Sequence, residues 1–356
     1  MKKVTKKLFI NQNKSIMAAM ESINKNGVRT LLVIDRNKNF LGTISDGDIR
    51  RAILGRKGAL DLPVKNFYNK EALTFKKGNF KLIDSKEIFK KYKFDLIPVV
   101  DNNNTVVDII FFDSLLEPEK KKYKKLNLPV VIMAGGRGTR ISEFTDILPK
   151  PLIPLQKKPI IEHIIDKFLR YKIKDFYITT NYKSELLKAY FKELKPSYNV
   201  GFYEEKIPSG TVGGLSGLKR HLKEDFFLSN CDILVDADYS EIISMHKKNN
   251  NLMTLVISAN NTELAYGVCD LDEEGNLLRI NEKPNLNYLV NTGFYVMNPR
   301  IFKYIGKNKP LDIDILINKA LENKEKVGVF PIHNSGWSDV GQWHEYVKTL
   351  GKKNDF

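Results

Sequence analysis

Pro129-Val-Val-Ile-Met-Ala134 is a short, uninterrupted apolar run that stops abruptly at Gly135-Gly-Arg-Gly-Thr-Arg140. A run apolar on both faces and closed by glycines predicts a strand buried inside a parallel sheet. Similar runs recur at Phe176-Tyr-Ile-Thr-Thr180, Phe226-Phe-Leu-Ser229 and Leu252-Met-Thr-Leu-Val-Ile257. Between them, Ile160 to Tyr171 and Ser184 to Leu194 carry apolar residues at helical spacing. Strands alternating with helices specify an α/β unit: an open, mostly parallel sheet with helices on both faces. Ligands in such sheets sit beyond the carboxyl ends of the strands. This unit is expected to occupy residues 128–356.

Working back towards the N-terminus, residues 1–118 read as an internal repeat. A helical stretch, Ser15 to Asn24, leads to Thr30-Leu-Leu-Val-Ile34, an Asp35-Arg-Asn-Lys turn and Leu41-Gly-Thr-Ile-Ser45. The second copy runs from a helix over Asp84 to Lys91 to Leu96-Ile-Pro-Val-Val100, an Asp101-Asn-Asn-Asn turn and Val106-Val-Asp-Ile-Ile110. Residues 119–127 are expected to link the two parts. That stretch is charged and has little apolar periodicity beyond Tyr123 and Leu126.

Composition narrows the function. The 356 residues suit roughly two domains at ~100–200 residues each. Apolar runs such as Leu31 to Ile34 fall far short of the ~20 residues that span a bilayer. The lysine-rich start lacks a secretory core, so a cytoplasmic protein is expected. Cys231 and Cys269 have no metal-ligand spacing and make no disulfide framework. The net charge of +16 is spread along the chain, and its densest cluster, Lys120 to Lys125, falls in the linker. Small anionic substrates account for that charge better than nucleic acid does. The five histidines are scattered, so histidine chemistry is not implied.

The glycine loop carries the chemistry. Backbone N–H groups of Ala134, Gly135, Gly136, Gly138 and Thr139 can approach phosphate oxygens closely, although glycines also serve plain tight turns. The string is neither a P-loop nor a dinucleotide fingerprint. Arg140 can grip β and γ phosphates through its planar fork, and Lys150 can neutralise an α phosphate as a point charge. Pro149 and Pro151 hold Lys150 on both sides, a restriction a surface lysine gains nothing from.

The stretch Met133-Ala-Gly-Gly-Arg-Gly-Thr-Arg140 with Leu148-Pro-Lys-Pro151 resembles the signature of the sugar-1-phosphate nucleotidylyltransferases. Gly210-Thr-Val-Gly-Gly214, Asn230-Cys-Asp232, Tyr266-Gly267, Glu282-Lys-Pro284, Asn291-Thr-Gly-Phe-Tyr295 and Trp337-Ser-Asp-Val-Gly341 follow in the right order. The resemblance covers residues 128–345 and implies a Rossmann-like fold. It also implies Mg²⁺ held by Asp232 and Asp339, though a lone aspartate equally serves as a cap or turn residue. By the same resemblance Lys283 holds the sugar phosphate, while Glu282, Asn291 and the Gly267 backbone bind hexose hydroxyls. A polar turn before Pro284 is the plainer alternative for Glu282 and Lys283.

In that family the segment before Gly210 and Thr211 cups the nucleobase, which places Glu205 at its edge. A carboxylate accepts two hydrogen bonds side by side, which suits the N1–H and N2–H pair of guanine. GTP is therefore the expected donor and a sugar 1-phosphate the acceptor, unless Glu204 and Glu205 merely face solvent.

The front repeat resembles a pair of cystathionine-β-synthase-type (CBS) modules, which commonly bind adenine nucleotides. The resemblance gives Ser45 and Asp48 a ribose and Arg50 a phosphate. In the second copy Ile110 replaces the hydroxyl, so one of the two sites is degraded and a structural module is as well supported as a sensor. The whole architecture is similar to the glucosamine-1-phosphate guanylyltransferases of bacterial legionaminic acid synthesis, and implies a homo-oligomer. A uridylyl- or thymidylyltransferase and a non-catalytic nucleotide-sensing subunit are the rivals. The presence of Lys150, Asp232, Lys283 and Asp339 speaks against the latter.

Overall fold

The computed structural model of the chain describes residues 6–78, 95–111, 123–138, 142–205, 209–307 and 309–350. Two compact units emerge: Met1–Lys122 with Ala259–Leu289, and Tyr123–Ser258 with Val290–Phe356.

The first unit is a duplication. In its first half β1 (Phe9–Asn11) pairs parallel with β2 (Thr30–Ile34), which pairs antiparallel with β3 (Phe40–Ser45). Helix α1 (Ile16–Asn26) starts at a Ser15 cap and stops at Gly27, whose φ of 63° is the left-handed stop that glycine tolerates best. Helix α2 (Asp46–Gly55) follows β3 directly. The second half repeats the strands: β4 (Phe75–Lys76) lies parallel to β5 (Leu96–Val100), which pairs antiparallel with β6 (Val106–Phe111).

The duplication extends to irregularities. Register slips at Val33/Ile34 in one copy and at Val99/Val100 in the other. Asp35 accepts from the Asn39 amide at 2.9 Å, and Asp101 accepts from the Thr105 amide at 2.9 Å. The two turns also meet, because the Asn104 side-chain amide donates to the Phe40 carbonyl at 2.7 Å. Leu32 and Phe40 share one buried cluster with Leu96 and Val100. The expected helix over Asp84 to Lys91 lies outside the described residues.

The second unit holds a seven-stranded sheet. Its members are β7 (Val130–Ala134), β8 (Asp175–Thr180), β9 (Asn199–Glu204), β10 (Phe226–Asn230), β12 (Met253–Glu263), β15 (Asn285–Met297) and β16 (Val327–His333). They lie in the order β9-β8-β7-β10-β15-β12-β16. β7, β8, β9 and β10 run parallel, and β15 runs antiparallel to β10.

Val130, Val131 and Ile132 in β7, an interior strand, are fully buried, as their unbroken apolar run predicts. Helix α3 (Ile160–Leu169) presses Ile161, Ile164, Ile165 and Phe168 into one core, where Phe168 stacks on Phe294 with centroids 5.7 Å apart. Helix α4 (Ser184–Leu194) adds Leu187 and Phe191 to the same core.

Two short ribbons complete the strands. β11 (Ile233–Val235) pairs antiparallel with β17 (Trp337–Asp339). β13 (Val268–Leu271) pairs antiparallel with β14 (Leu277–Asn281) in the segment that groups with the first unit. Ala259 is buried in that unit's core, and Asn287 donates to Asp61 at 2.6 Å, which explains the grouping.

The end of the expected linker is no bare connector. Tyr123 packs edge-on against Tyr171, and Leu126 is buried in the core of the second unit with its amide donating to the Tyr171 carbonyl at 3.0 Å. Among the described residues no helix is long and apolar enough to cross a membrane.

Candidate active site

A cleft of about 440 Å³ opens where the parallel strands end. Met133 near the end of β7, Thr179 in β8 and Asn230 at the end of β10 form part of its floor. The glycine loop, Lys150, Glu205, Gly210, Thr211 and Asp232 line the rest. Ala134 is buried at the end of β7 beneath the loop. Thr139 and Arg140 lie outside the described residues.

The loop is glycine for two different reasons. Gly138 has a φ of 72°, and a side-chain carbon there would meet Thr145 at 2.6 Å and Lys150 at 3.3 Å. A carbon on Gly136 would meet nothing within 4 Å. Packing thus explains Gly138 but leaves Gly136 bordering open space in the cleft.

Lys150 emerges between two prolines and forms an ion pair with Asp232, each side chain only about one-tenth exposed (11% and 10%). Burial disfavours the ammonium, but the Asp232 carboxylate, aided by Asp339, outweighs it and raises the Lys150 pKa above the ordinary 10.5. The pair is roofed by Gly341, where any side-chain carbon would collide with both partners. The β11–β17 ribbon sets Asp339 beside Asp232: Ile233 pairs with Asp339, and the Val340 amide donates to the Asp232 carbonyl at 2.9 Å. Asp339 accepts from the Gly341 amide at 3.0 Å and from Gln342 at 2.7 Å. Cys231 is packed with the core, and burial pushes its thiol up to about 12.

Among the described residues no group of three or more His, Cys, Asp or Glu side chains converges. Asp232, the residue before β11, and Asp339, in β17, offer carboxylate oxygens, the donor type that Mg²⁺ takes alongside phosphate and water.

Glu204 and Glu205 part company at the end of β9. Glu204 is exposed and pairs with Ser184 and Lys188 at 2.7 and 2.5 Å. Glu205 is buried, 7% exposed, and its carboxylate accepts from the Ser209 amide at 3.1 Å. It fits because Gly135 and Gly214 on either side lack side chains: a carbon on Gly135 would lie 3.0 Å from its oxygen, and one on Gly214 would collide. Burial raises the Glu205 pKa above 4.5, with the Ser209 hydrogen bonds offsetting part of the rise.

The residues assigned to the sugar divide between the units. Asn291, in the second, donates to the Tyr295 hydroxyl at 2.7 Å and accepts from the Gly293 amide at 3.1 Å. Gly267, Glu282 and Lys283 belong to the first, where Glu282 approaches Gly267 closely enough that a carbon there would lie 2.8 Å from its carboxylate. Lys283 is exposed with a φ of 45°.

In the front repeat Ser45 and Asp48 cap α2 reciprocally. The Asp48 amide donates to the Ser45 hydroxyl at 3.2 Å, and the Ser45 amide donates to the Asp48 carboxylate at 2.8 Å. Arg50 pairs with Asp46 and Arg51 with Asp48. Ile110 of the second copy is buried.

Of the cleft residues, Asn181, Ser209 and Asp312 escaped the sequence reading, which contained Arg137 only as part of the glycine loop. Asn181 is the first residue after a strand end, and its amide donates to the Glu205 carbonyl at 2.8 Å. Asp312 stands where a helix cap is expected, just before the apolar spacing of Ile313 onward.

Residues 129–354 match the family model described as "Nucleotidyl transferase", and residues 2–55 match the CBS domain. The chain is 31% identical to mannose-1-phosphate guanyltransferase of Yarrowia lipolytica, over 63% of this chain and 65% of that protein. It is 29% identical to the mannose-1-phosphate guanylyltransferase catalytic subunit beta of Dictyostelium discoideum, over 63% of this chain and 64% of that one. It thus spans just under two thirds of the length of these curated relatives. HddC from Yersinia pseudotuberculosis shares the fold at a TM-score of 0.51 and 21% identity, covering 64% of this chain and all (100%) of that one.

Proposed function

This chain belongs to the nucleotidyl transferase family, and from that premise we propose that it transfers a guanylyl group from GTP to a hexose 1-phosphate, releasing pyrophosphate. The observation that carries the reading is the juxtaposition of the Lys150–Asp232 pair, adjoining Asp339, with the buried carboxylate of Glu205 around one glycine-lined cleft.

A phosphate oxygen of the sugar 1-phosphate attacks the α phosphorus in line, and the bond to the bridging oxygen of pyrophosphate breaks. The nucleophile is already anionic, so the protein's task is positioning and charge neutralisation rather than proton removal. Lys150 neutralises the α phosphate, and the backbone amides at Gly135 and Gly136 face the polyphosphate. A Mg²⁺ held by Asp232 and Asp339 would neutralise developing charge on the phosphate oxygens. Glu205 accepts the paired N–H donors of guanine, an edge that uracil and thymine lack.

Glucosamine 1-phosphate is the proposed acceptor, by the likeness of the whole architecture, giving an activated sugar for surface or flagellin glycan synthesis in the cytoplasm. Mannose 1-phosphate is the second reading, favoured by the names of the relatives at 29–31% identity.

Pyrophosphate release with each of GTP, UTP, dTTP and ATP against both sugar phosphates separates these readings. GTP with glucosamine 1-phosphate is expected to be fastest. Faster turnover of UTP or dTTP would reject the guanine assignment, and faster turnover of mannose 1-phosphate would replace the sugar.

A further inference from the structure

Helix α5 (Ile313–Glu322) begins in an unusual way. Asp312 occupies its cap position, yet its side chain makes no cap hydrogen bond to its own helix. A capping aspartate ordinarily accepts from an amide two or three residues on. Here the carboxylate turns outward and accepts from the Thr211 amide at 2.9 Å and its hydroxyl at 3.4 Å. The Thr211 hydroxyl in turn accepts from the Ile313 amide at 2.7 Å, so the cap of α5 comes from a residue about a hundred positions away in sequence.

The backbone reinforces the exchange. The Val212 amide donates to the Leu311 carbonyl at 3.0 Å, and the Leu311 amide donates to the Ser209 carbonyl at 2.9 Å. Gly210, with a φ of 72°, packs so tightly that a side-chain carbon would lie 2.7 Å from the Leu311 carbonyl oxygen. Ser209 is also the residue whose amide fixes the Glu205 carboxylate. A continuous chain of contacts therefore runs from Asp312 through Thr211 and Ser209 to Glu205.

We propose that Asp312 is a positioning residue for nucleobase selection: by holding Thr211 it sets Ser209, and thereby Glu205, against the edge of the base. The inference rests on the reading of Glu205 as the base-facing group. Misplacement by about 1 Å is enough to cost on the order of a hundredfold in a preorganised site, and base discrimination depends on that edge more than phosphate binding does.

The test is the dissociation constant of GTP, UTP, CTP and ATP, each with Mg²⁺, for the full-length chain and for its variants, by titration calorimetry. Asp312→Ala is expected to reduce the preference for the best triphosphate over the others by about tenfold or more. Asp312→Asn keeps an oxygen for the Thr211 amide and should retain most of the preference. Thr211→Val, which removes the hydroxyl but keeps the amide, should fall between and supplies the answer if Asp312→Ala does not fold.

Equal weakening of all four triphosphates in Asp312→Ala would overturn the proposal and leave the guanine reading standing. Asp312→Asn behaving like Asp312→Ala would also overturn it, since charge rather than geometry would then be at work. A native protein that prefers another base would refute the guanine reading, while the change in preference would still decide the role of Asp312. A native protein that binds none of the four would refute both.

Discussion

The carboxylate of Glu205 occupies the volume that a side-chain carbon on Gly214 would take. Gly214 closes the Gly210-Thr-Val-Gly-Gly214 string, so one glycine of a motif read as nucleotide-binding acts through a residue nine positions earlier. Gly214→Ala should push Glu205 out of its slot. The expected result is a loss of preference for GTP, by roughly tenfold or more, with a smaller effect on turnover at saturation. Initial rates with competing triphosphates measure it. An unchanged preference would separate Glu205 from base selection.

Under the proposal that Glu205 faces guanine, acid should weaken GTP binding. The raised pKa of Glu205 means that its carboxylate takes up a proton at a pH above the ordinary 4.5. Once protonated it no longer accepts both N–H donors of guanine, so KM for GTP should climb as pH falls through that raised value. In stability the sign runs the other way. A carboxyl with a raised folded pKa favours the folded state most below 4.5, and that advantage fades as pH rises through the folded value. Glu205→Gln should flatten the acid limb of KM and leave the protein at least as stable at neutral pH, as a melting curve would register.

The Lys150–Asp232 pair calls for a different experiment. Gly341 has no side chain to intrude on it, and Gly341→Ala would drive a carbon into both partners. Turnover is expected to fall about 100-fold or more, the scale on which losing one charge-stabilising group acts. Lys150→Ala should in addition cost about 3–5 kcal/mol in unfolding free energy, because it strands a buried carboxylate. The raised Lys150 pKa gives the pair a wide working range. Its contribution to stability is complete below the ordinary lysine value of 10.5 and disappears only as pH rises through the higher folded value. Denaturant melts between pH 7 and 9 should show no loss from this group.

Local pattern makes the strands and helices legible. The run Val130 to Ala134, the helical spacing after Ile160 and the repeated turns at Asp35 and Asp101 each announce their element through nearest-neighbour chemistry. What escapes is long-range. Asp312 joins Thr211 across about a hundred residues, and Gly341 roofs a pair formed by Lys150 and Asp232. Neither arrangement leaves a periodic trace. Tyr123 and Leu126 fall within the expected linker for the same reason, since two apolar residues among charges show no period, yet each finds a place beside Tyr171. Ser45 and Asp48 illustrate the reverse case. Their spacing fits a ribose site by resemblance, and it is equally the spacing of a reciprocal helix cap, the arrangement they adopt.

Gly136 isolates the role of the loop from its packing. A carbon added there meets nothing within 4 Å, and Gly136 is not among the positive-φ glycines, so alanine imposes neither collision nor strain on the fold. Gly136→Ala should therefore leave stability within about 0.5 kcal/mol of the native protein, as for other substitutions that disturb no packing. If the polyphosphate comes close to the backbone at this point, the added methyl must hold it away. The triphosphate would then bind at least about tenfold more weakly whatever its base, because the methyl displaces the phosphates, which all triphosphates share. Calorimetric titration with GTP and UTP checks both parts. Equal weakening of the two at unchanged melting temperature is the expected outcome, and native affinity for both would mean that the phosphates pass the loop at a distance.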